Sequence, residues 1–335
     1  MKFIILRLWI LSLVFCALST QRSPWGGPSQ SLFPAAFEWF KELLISPMPL
    51  QSALRRALFL GDGSALPRDI WKSFNHLGLS HLLVISGSHI SMAIAFIYSG
   101  SWIFRSIGWY RVFILAIVGA YCGLCSPGVS IARAYLCFVV LALGAVIWPA
   151  LYRYSSYDRL GFVGILLLAI KPSWSLSPSY LLSFVASLAI LSCRSDNQSS
   201  RVLAVAFTPA AGLLPLCHLL QFELHPLSPW VNFIFGPVFW LAIVPASFLG
   251  LVDNLTFFSE SFLNSAFALV RAWSEALSQF GPANRPPPLL SVMALSLFFV
   301  GILEIANSRR RLIFMIGCVL SYQLFLFSDK LYFDF

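Results

Sequence analysis

Apolar residues run through this chain in long blocks separated by short polar turns, and the blocks are of two kinds. From Leu79 onward they are nearly uninterrupted, over about Leu79–Phe104, Val112–Cys125, Ser130–Ala150, Leu160–Ile170, Tyr180–Cys193, Val202–Leu220, Pro229–Val252, Leu289–Ala306 and Leu312–Phe327. Continuous apolar runs approaching the ~20 residues that cross a bilayer read as membrane helices. The pattern predicts an all-α fold, a polytopic transmembrane helical bundle with broken or re-entrant helices. Ahead of Leu79 the blocks alternate. Phe33–Ile45 and Leu50–Leu60 carry apolar residues at helical spacing, with Lys41, Arg55 and Arg56 on the other side, which predicts amphipathic helices on a membrane surface. Before them, Pro24, Gly26, Gly27 and Pro28 mark an extended linker.

The first block, Ile4–Ser19 after Lys2, is signal-like or anchoring. Ala17-Leu18-Ser19 offers a small-residue cleavage site and Arg7 interrupts the run. Either way it delivers the next segment outside the cytoplasm. The chain thus divides into a signal-like or anchoring segment (1–20), a polar linker with an amphipathic periplasmic segment (21–56), a membrane domain (57–252), an amphipathic segment (253–288) and a C-terminal transmembrane hairpin (289–335).

Loop charges set the orientation. Arg105 and Arg111, Arg153 and Arg159, Arg194 and Arg201, and Arg309–Arg311 alternate with Ser126-Pro127-Gly128 and His225-Pro226, which carry no arginine or lysine. Arginine-rich short loops stay in the cytoplasm, so 21–75 and His225-Pro226 are expected outside. Counting from both ends leaves a parity conflict between Val252 and Leu289. Either Phe257–Phe280 spans despite Glu260, Arg271 and Glu275, or the Pro229 stretch, interrupted at Gly236-Pro237 and Pro245, re-enters on one side. The second is favoured, because an i, i+4 pair such as Arg271 and Glu275 suits a surface helix. Asp158 and Arg159 read as a loop pair.

Composition agrees with the pattern: 59% of the 335 residues are hydrophobic and 10% charged, against about 25% charged in soluble domains. The formal net charge of +9 sits in loops, where it can attract anionic lipid or nucleic acid. The seven cysteines lie in or beside apolar segments and form no disulfide framework; Cys122-Gly-Leu-Cys125 reads as small residues packing on a helix face.

One block spends polar groups in an odd place. Gly78-Leu-Ser-His-Leu-Leu-Val-Ile-Ser-Gly-Ser-His89 puts His81, Ser86, Gly87, Ser88 and His89 in the first half of an apolar run. On a straight helix, turning ~100° per residue, His81, Ser88 and His89 would lie within about 80 to 100° of one another, with Ser86 and Ser91 flanking them. Two readings stay open: a lining for a water-filled path, or small-residue packing with interhelical hydrogen bonds. Gly87 is a natural break, as in the interrupted helices of transporters. The histidines would lie about 12 Å apart along an unbroken helix, too far for one metal, and no carboxylate in the stretch orients either imidazole for catalysis. No catalytic residue, metal or cofactor is expected. Gly26-Gly27 and Gly61-Asp62-Gly63 lack the lysine and spacing of a phosphate loop, so any energy source is a partner. In the third block, Arg133 follows Ser130 just inside the membrane. It either faces water and a phosphate, or snorkels to the interface.

Several ordered motifs resemble one family. Ala57-Leu-Phe-Leu-Gly-Asp62 followed by the Gly78–His89 stretch is similar to the entry motifs of the ComEC competence-protein family, GLxHLLxxSGxH included. Gly128-Val-Ser-Ile-Ala-Arg-Ala134 resembles its Ser-x-x-Arg-Ala helix start, Leu182-Ser-Phe184 its LSF motif, and Leu214-Pro-Leu216, Phe222 and Asn232 its later positions. Ser88 stands where leucine is usual. The resemblance, over roughly Ala57–Gly250, implies a multi-pass bacterial inner-membrane channel through which single-stranded DNA enters the cytoplasm in natural transformation. His81, Ser86, Gly87, Ser88, His89, Ser130 and Arg133 would lie on the DNA path. Longer family members carry OB-like and metallo-β-lactamase-like domains. Here the roughly 60 residues upstream are expected to be too few for the first, eight residues follow Phe327, and no HxHxDH arrangement occurs. The expected partners are single-stranded DNA, the lipid bilayer and separate DNA-receptor, nuclease and cytoplasmic motor proteins, with a homo-oligomer also compatible. Cationic contacts for phosphate and flat groups for bases suit that role, and the chain has 22 lysines and arginines and 16% aromatics. The alternative is a small-solute transporter or membrane scaffold on the same fold.

Overall fold

A computed structural model describes residues 4–19, 33–45, 48–83, 85, 87–100, 110–125, 128–147, 155–193, 198–220, 222, 225–249, 255–279, 286–305 and 308–333. The predicted linker at 21–32, Ser86, and the loop residues Arg105, Ser126, Pro127, Arg153 and Arg194 lie outside them. The regular structure among the described residues is entirely helical. In chain order the helices are α1 (Ile4–Ser19), α2 (Pro34–Leu43), α3 (Pro49–Leu60), α4 (Arg68–His76), α5 (Ser80–Leu83), α6 (Gly87–Gly100), α7 (Tyr110–Leu124) and α8 (Val129–Ile147). Then follow α9 (Ser156–Ile170), α10 (Pro178–Ser192), α11 (Gln198–Leu219), α12 (Ser228–Leu249), α13 (Thr256–Ser278), α14 (Pro288–Glu304) and α15 (Ser308–Phe333).

Among the described residues, α12 is the one helix both long and apolar enough to cross a membrane; Val112–Leu124, Val129–Ala142, Pro178–Ser192, Phe207–Leu219, Pro288–Ile302 and Ile313–Leu324 are shorter apolar helices. The expected interruption of the Pro229 stretch does not occur. Pro245 has no amide to offer the Leu241 carbonyl, and just before it the helix widens into a π-helical turn over Phe239–Ile243, the Val244 amide donating to the Phe239 carbonyl, so that one helix runs through both Pro237 and Pro245.

The chain forms two compact units. The first comprises Met1–Ile45, Leu58–Asp62 and Val84–Phe184. In it α1 and α9 run side by side from the same end. Asp158 Oδ1 accepts the amides of Ile5 (3.1 Å) and Leu6 (3.3 Å), while Oδ2 accepts the Ser155 hydroxyl (2.8 Å). A carboxylate at a helix start satisfies amides that have no acceptor within the helix and complements its dipole. Asp158 is therefore a buried inter-helix cap rather than half of a loop pair, and α9 begins a turn before the predicted Leu160. Gly161 lets the Leu6 backbone approach, and Gly164 leaves room for the Trp9 indole. Trp9 donates to the Tyr180 hydroxyl (2.6 Å), which donates to the Gly164 carbonyl (3.0 Å).

Leu6 and Trp9 are wholly enclosed, packing that cleavage after α1 would forfeit. The intact mass of the purified protein is expected to include residues 4–19. Gly164→Leu, whose side chain would occupy the Trp9 site, should release α1 and expose an N-terminal tag to added protease. A mature protein lacking α1, or equal protease resistance in both forms, would overturn this.

The second unit comprises Ser46–Ala57, Gly63–Leu83 and Val185–Phe335. Its centre is Phe74 of α4, fully buried, with edge-on contacts to Phe235 and Phe239 of α12 and Phe267 of α13 at 5.9, 6.5 and 5.5 Å between ring centres. The amphipathic reading of α3 is corrected here. Leu50, Gln51, Ala53, Leu54 and Arg55 are all buried, Arg55 with 0% exposure. Glu260 of α13 caps the start of α3, its two carboxylate oxygens accepting the amides of Leu50 (3.2 Å) and Gln51 (3.1 Å). α13 buries Ser259, Glu260, Leu263, Phe267, Val270 and Ser274 along one face.

Arg271 pairs with Asp69 of α4 rather than with Glu275 as expected. Partial desolvation pushes the Asp69 carboxyl up, but the Arg271 hydrogen bond, backbone amides at the start of α4 and the Arg271 charge outweigh it and hold Asp69 below its ordinary value. The pair's contribution is therefore present above the unfolded carboxylate value near ~4 and lost as pH falls through the folded value. Both side chains are half exposed, so the loss is expected to stay under about 1 kcal/mol. Acid titration of thermal stability, with and without Arg271→Leu, checks it.

Candidate functional site

The polar arc expected of a straight helix is not what the chain builds. α5 ends at Leu83 and α6 begins at Gly87. His81 belongs to the second unit, while Gly87, His89, Ser130 and Arg133 belong to the first. Ser86 lies outside the described residues, as does the side chain of Ser88.

In the first unit the start of α6 meets the first turns of α8. A methyl group added to Gly87 would lie 2.5 Å from Nη2 of Arg133 and 3.1 Å from the carbonyl oxygen of Ser130. Only a residue without a side chain lets the guanidinium lie against the opening turn of α6. His89 follows one half-turn on, its Nε2 enclosed. The apolar floor is a cluster of Ile85, Ile90, Ile114, Val118, Cys122, Cys125, Ile131 and Ala134. The predicted packing role of the two cysteines takes a definite form, with Cys125 Sγ and the Tyr121 hydroxyl both donating to the Phe59 carbonyl, at 3.3 and 3.1 Å. Phe59, within Leu58–Asp62, is thereby fixed to α7.

The juxtaposition at Gly87 has an electrostatic consequence. A helix start carries the positive end of the helix dipole, and a guanidinium is a permanent cation with donors only. Oxyanions are the ligands that both helix starts and arginine favour.

In the second unit, Gly78 takes φ +73° and closes α4. Its amide donates to the Asn75 carbonyl (3.0 Å) and that of Leu79 to the Phe74 carbonyl (2.7 Å), the paired bonds of a glycine-ended helix. Asn232 of α12 donates to the carbonyls of Gly78 (3.3 Å) and Ser228 (2.9 Å). His76 and His225, which no spacing singles out, also meet here. Their rings are edge-on at 5.3 Å, the His225 amide donates to the His76 carbonyl (2.9 Å), and His76 Nδ1 lies 3.1 Å from the Ser274 hydroxyl. Their pairing joins segments about 150 residues apart, a distance that leaves no local signal. Among the described residues no three histidine, cysteine or carboxylate side chains gather as a metal site.

A family model described as "Competence protein" matches residues 58–308, well past the Gly250 limit of the motif resemblance. Three curated relatives are similar. An uncharacterised protein of Aquifex aeolicus is 29% identical over 243 residues, 69% of this chain and 55% of the relative. Competence protein ComA of Neisseria gonorrhoeae is 30% identical over 262 residues, 71% of this chain and 36% of the relative. ComE operon protein 3 of Bacillus subtilis is 26% identical over 243 residues, 68% of this chain and 30% of the relative. The alignments thus span about half or less of each relative's length. No solved structure matches.

Proposed function

Because this chain belongs to the competence protein family, we propose that it is the membrane channel part of a DNA-uptake system, passing single-stranded DNA into the cytoplasm during transformation. The observation that carries this reading is the contact of Arg133 with the start of α6 at Gly87, a combination suited to a passing phosphate. The chain would sit in the bacterial inner membrane as a multi-pass bundle, with the shorter apolar helices crossing alongside α12. Helices below full bilayer length fit where the membrane thins or flanking residues snorkel. In this reading His81, Ser86, Ser88, His89 and Ser130 lie on the strand's route. Receptor, nuclease and motor functions belong to separate proteins, and copies of the chain can associate.

Deleting the gene is the direct test. Transformation should fall by orders of magnitude, with labelled donor DNA retained at the cell surface and absent from the cytoplasm, and the full-length chain should restore it. Unchanged transformation, accompanied by a transport defect for a small solute, would instead favour the alternative transporter.

A further inference from the structure

We propose that His81 presents a hydrogen-bond acceptor, and so engages the N–H groups of nucleobases rather than phosphate, with Asn232 as the residue that positions it. This rests on the DNA-conducting reading above and names the part of the strand that this segment contacts. The argument starts at Gly78. Its left-handed backbone turns the chain out of α4 between the buried Phe74 and Leu79, a conformation that favours glycine at position 78. Three residues on, His81 lies exposed in α5 and its Nδ1 returns to the Gly78 carbonyl oxygen at 3.0 Å. A carbonyl only accepts, so Nδ1 carries the proton, and the neutral ring must then hold a lone pair at Nε2. The spacing of glycine and histidine in the Gly-Leu-Ser-His motif thereby acquires a physical meaning: it selects one tautomer.

Asn232 acts on the same atom. Its side-chain amide donates to Gly78 O and to Ser228 O, tying the peptide plane that selects the tautomer to the opening turn of α12. The Leu79 amide of the same peptide unit is held by the Phe74 carbonyl at 2.7 Å, and Asn232 supplies the second tie, on the oxygen itself; losing it loosens that oxygen and lets the imidazole exchange tautomers in part.

The chemistry of the ligand follows. Phosphate oxygens are acceptors, and a lone pair facing them is repelled. The pairing edge of each ordinary DNA base carries at least one N–H, which single strands leave open. The two units therefore offer complementary functions, a donor-only guanidinium at Arg133 for the backbone and an acceptor at His81 for the bases.

The test uses the full chain in lipid nanodiscs. Histidine-selective 15N NMR, with the His81 resonances assigned by their loss in His81→Gln, should show Nδ1 protonated and Nε2 bare. Asn232→Leu should convert this to a mixture, and Asn232→Gln should restore it in part. Fluorescence anisotropy then compares a labelled base-bearing strand with an abasic strand of equal length. His81→Leu is expected to weaken the base-bearing strand about tenfold, the worth of one good hydrogen bond, and to leave the abasic strand unchanged. His81→Gln, which keeps an acceptor near the Nε2 position, should lie close to wild type. A proton found on Nε2, or equal weakening of both strands, overturns the base contact while leaving the conduction reading intact. A wild-type chain that binds neither strand overturns both.

Discussion

Replacing Arg133 by leucine is expected to abolish DNA uptake while the chain stays at its normal level in the membrane. Leucine removes the cation and its donors but keeps an apolar side chain beside Ile131 and Ala134 of the buried cluster, so the chain is expected to remain in the membrane. What is lost is the positive group at the start of α6. Arg133→Lys keeps the charge but not the planar fork, and a phosphate that a guanidinium can grip with two donors is held by an ammonium only as a point charge; partial uptake is expected. Gly87→Val approaches the same result from the other side. Its side chain would stand where the guanidinium now lies, 2.5 Å from Nη2 at the first added carbon, driving Arg133 off the helix start. The measurement is cytoplasmic accumulation of labelled DNA against surface-bound DNA, with immunoblotting of membranes as the control. Wild-type uptake by Arg133→Leu would remove the phosphate role from this site.

The second large effect is on stability. Glu260→Leu is expected to destabilise the second unit by about 3–5 kcal/mol, a large share of the ~5–15 kcal/mol that holds an ordinary domain together. The carboxylate accepts two amides at the start of α3. Beside it, Gln51 donates to the Thr256 carbonyl (2.7 Å) and to the Ser259 hydroxyl (3.0 Å), and Ser259 donates to the Ala246 carbonyl (2.6 Å). This buried polar network has high stakes, because removing one member leaves the others desolvated without partners.

Arg55 raises the stakes further. Burial pushes its guanidinium down from the ordinary arginine value and the Glu260 carboxylate pulls it back up. Among the described residues its Nη1 and Nη2 have no hydrogen-bond partner. Loss of Glu260 leaves a buried cation with its balancing charge gone. Glu260→Gln, which keeps one carbonyl acceptor but no charge, should fall between. Thermal unfolding of the purified chain reads the order wild type, Glu260→Gln, Glu260→Leu. A Leu variant melting with wild type would show that α3 is held by its apolar contacts alone.

Much of this molecule was open to reading from local pattern, because local pattern reports what a segment must bury. The long apolar blocks could only be helices, since in a continuous apolar environment a helix satisfies its own backbone. A break near Gly87 and the end of α4 at Gly78 follow from what glycine permits. The chain's ordered small-residue and histidine motifs carried the family. What periodicity cannot report is which partner covers a face or answers a charge. Arg55 sits on the polar side of a helix wheel, and only the arrival of α13, with Glu260 lying 210 positions from Leu50, leaves it buried. Asp158 looks like a loop acid until α1 is laid beside it, 153 positions away from its partner amide. Pro237 and Pro245 read as breaks until the helix is seen to run through both, with a π-helical turn between them and Phe235 and Phe239 packed on Phe74. The sequence by itself determined the helical class, the helix ends written in glycine, and the family; the tertiary structure alone decided which charges are buried and what they hold, because charge partners are set by folding distances that no local spacing encodes.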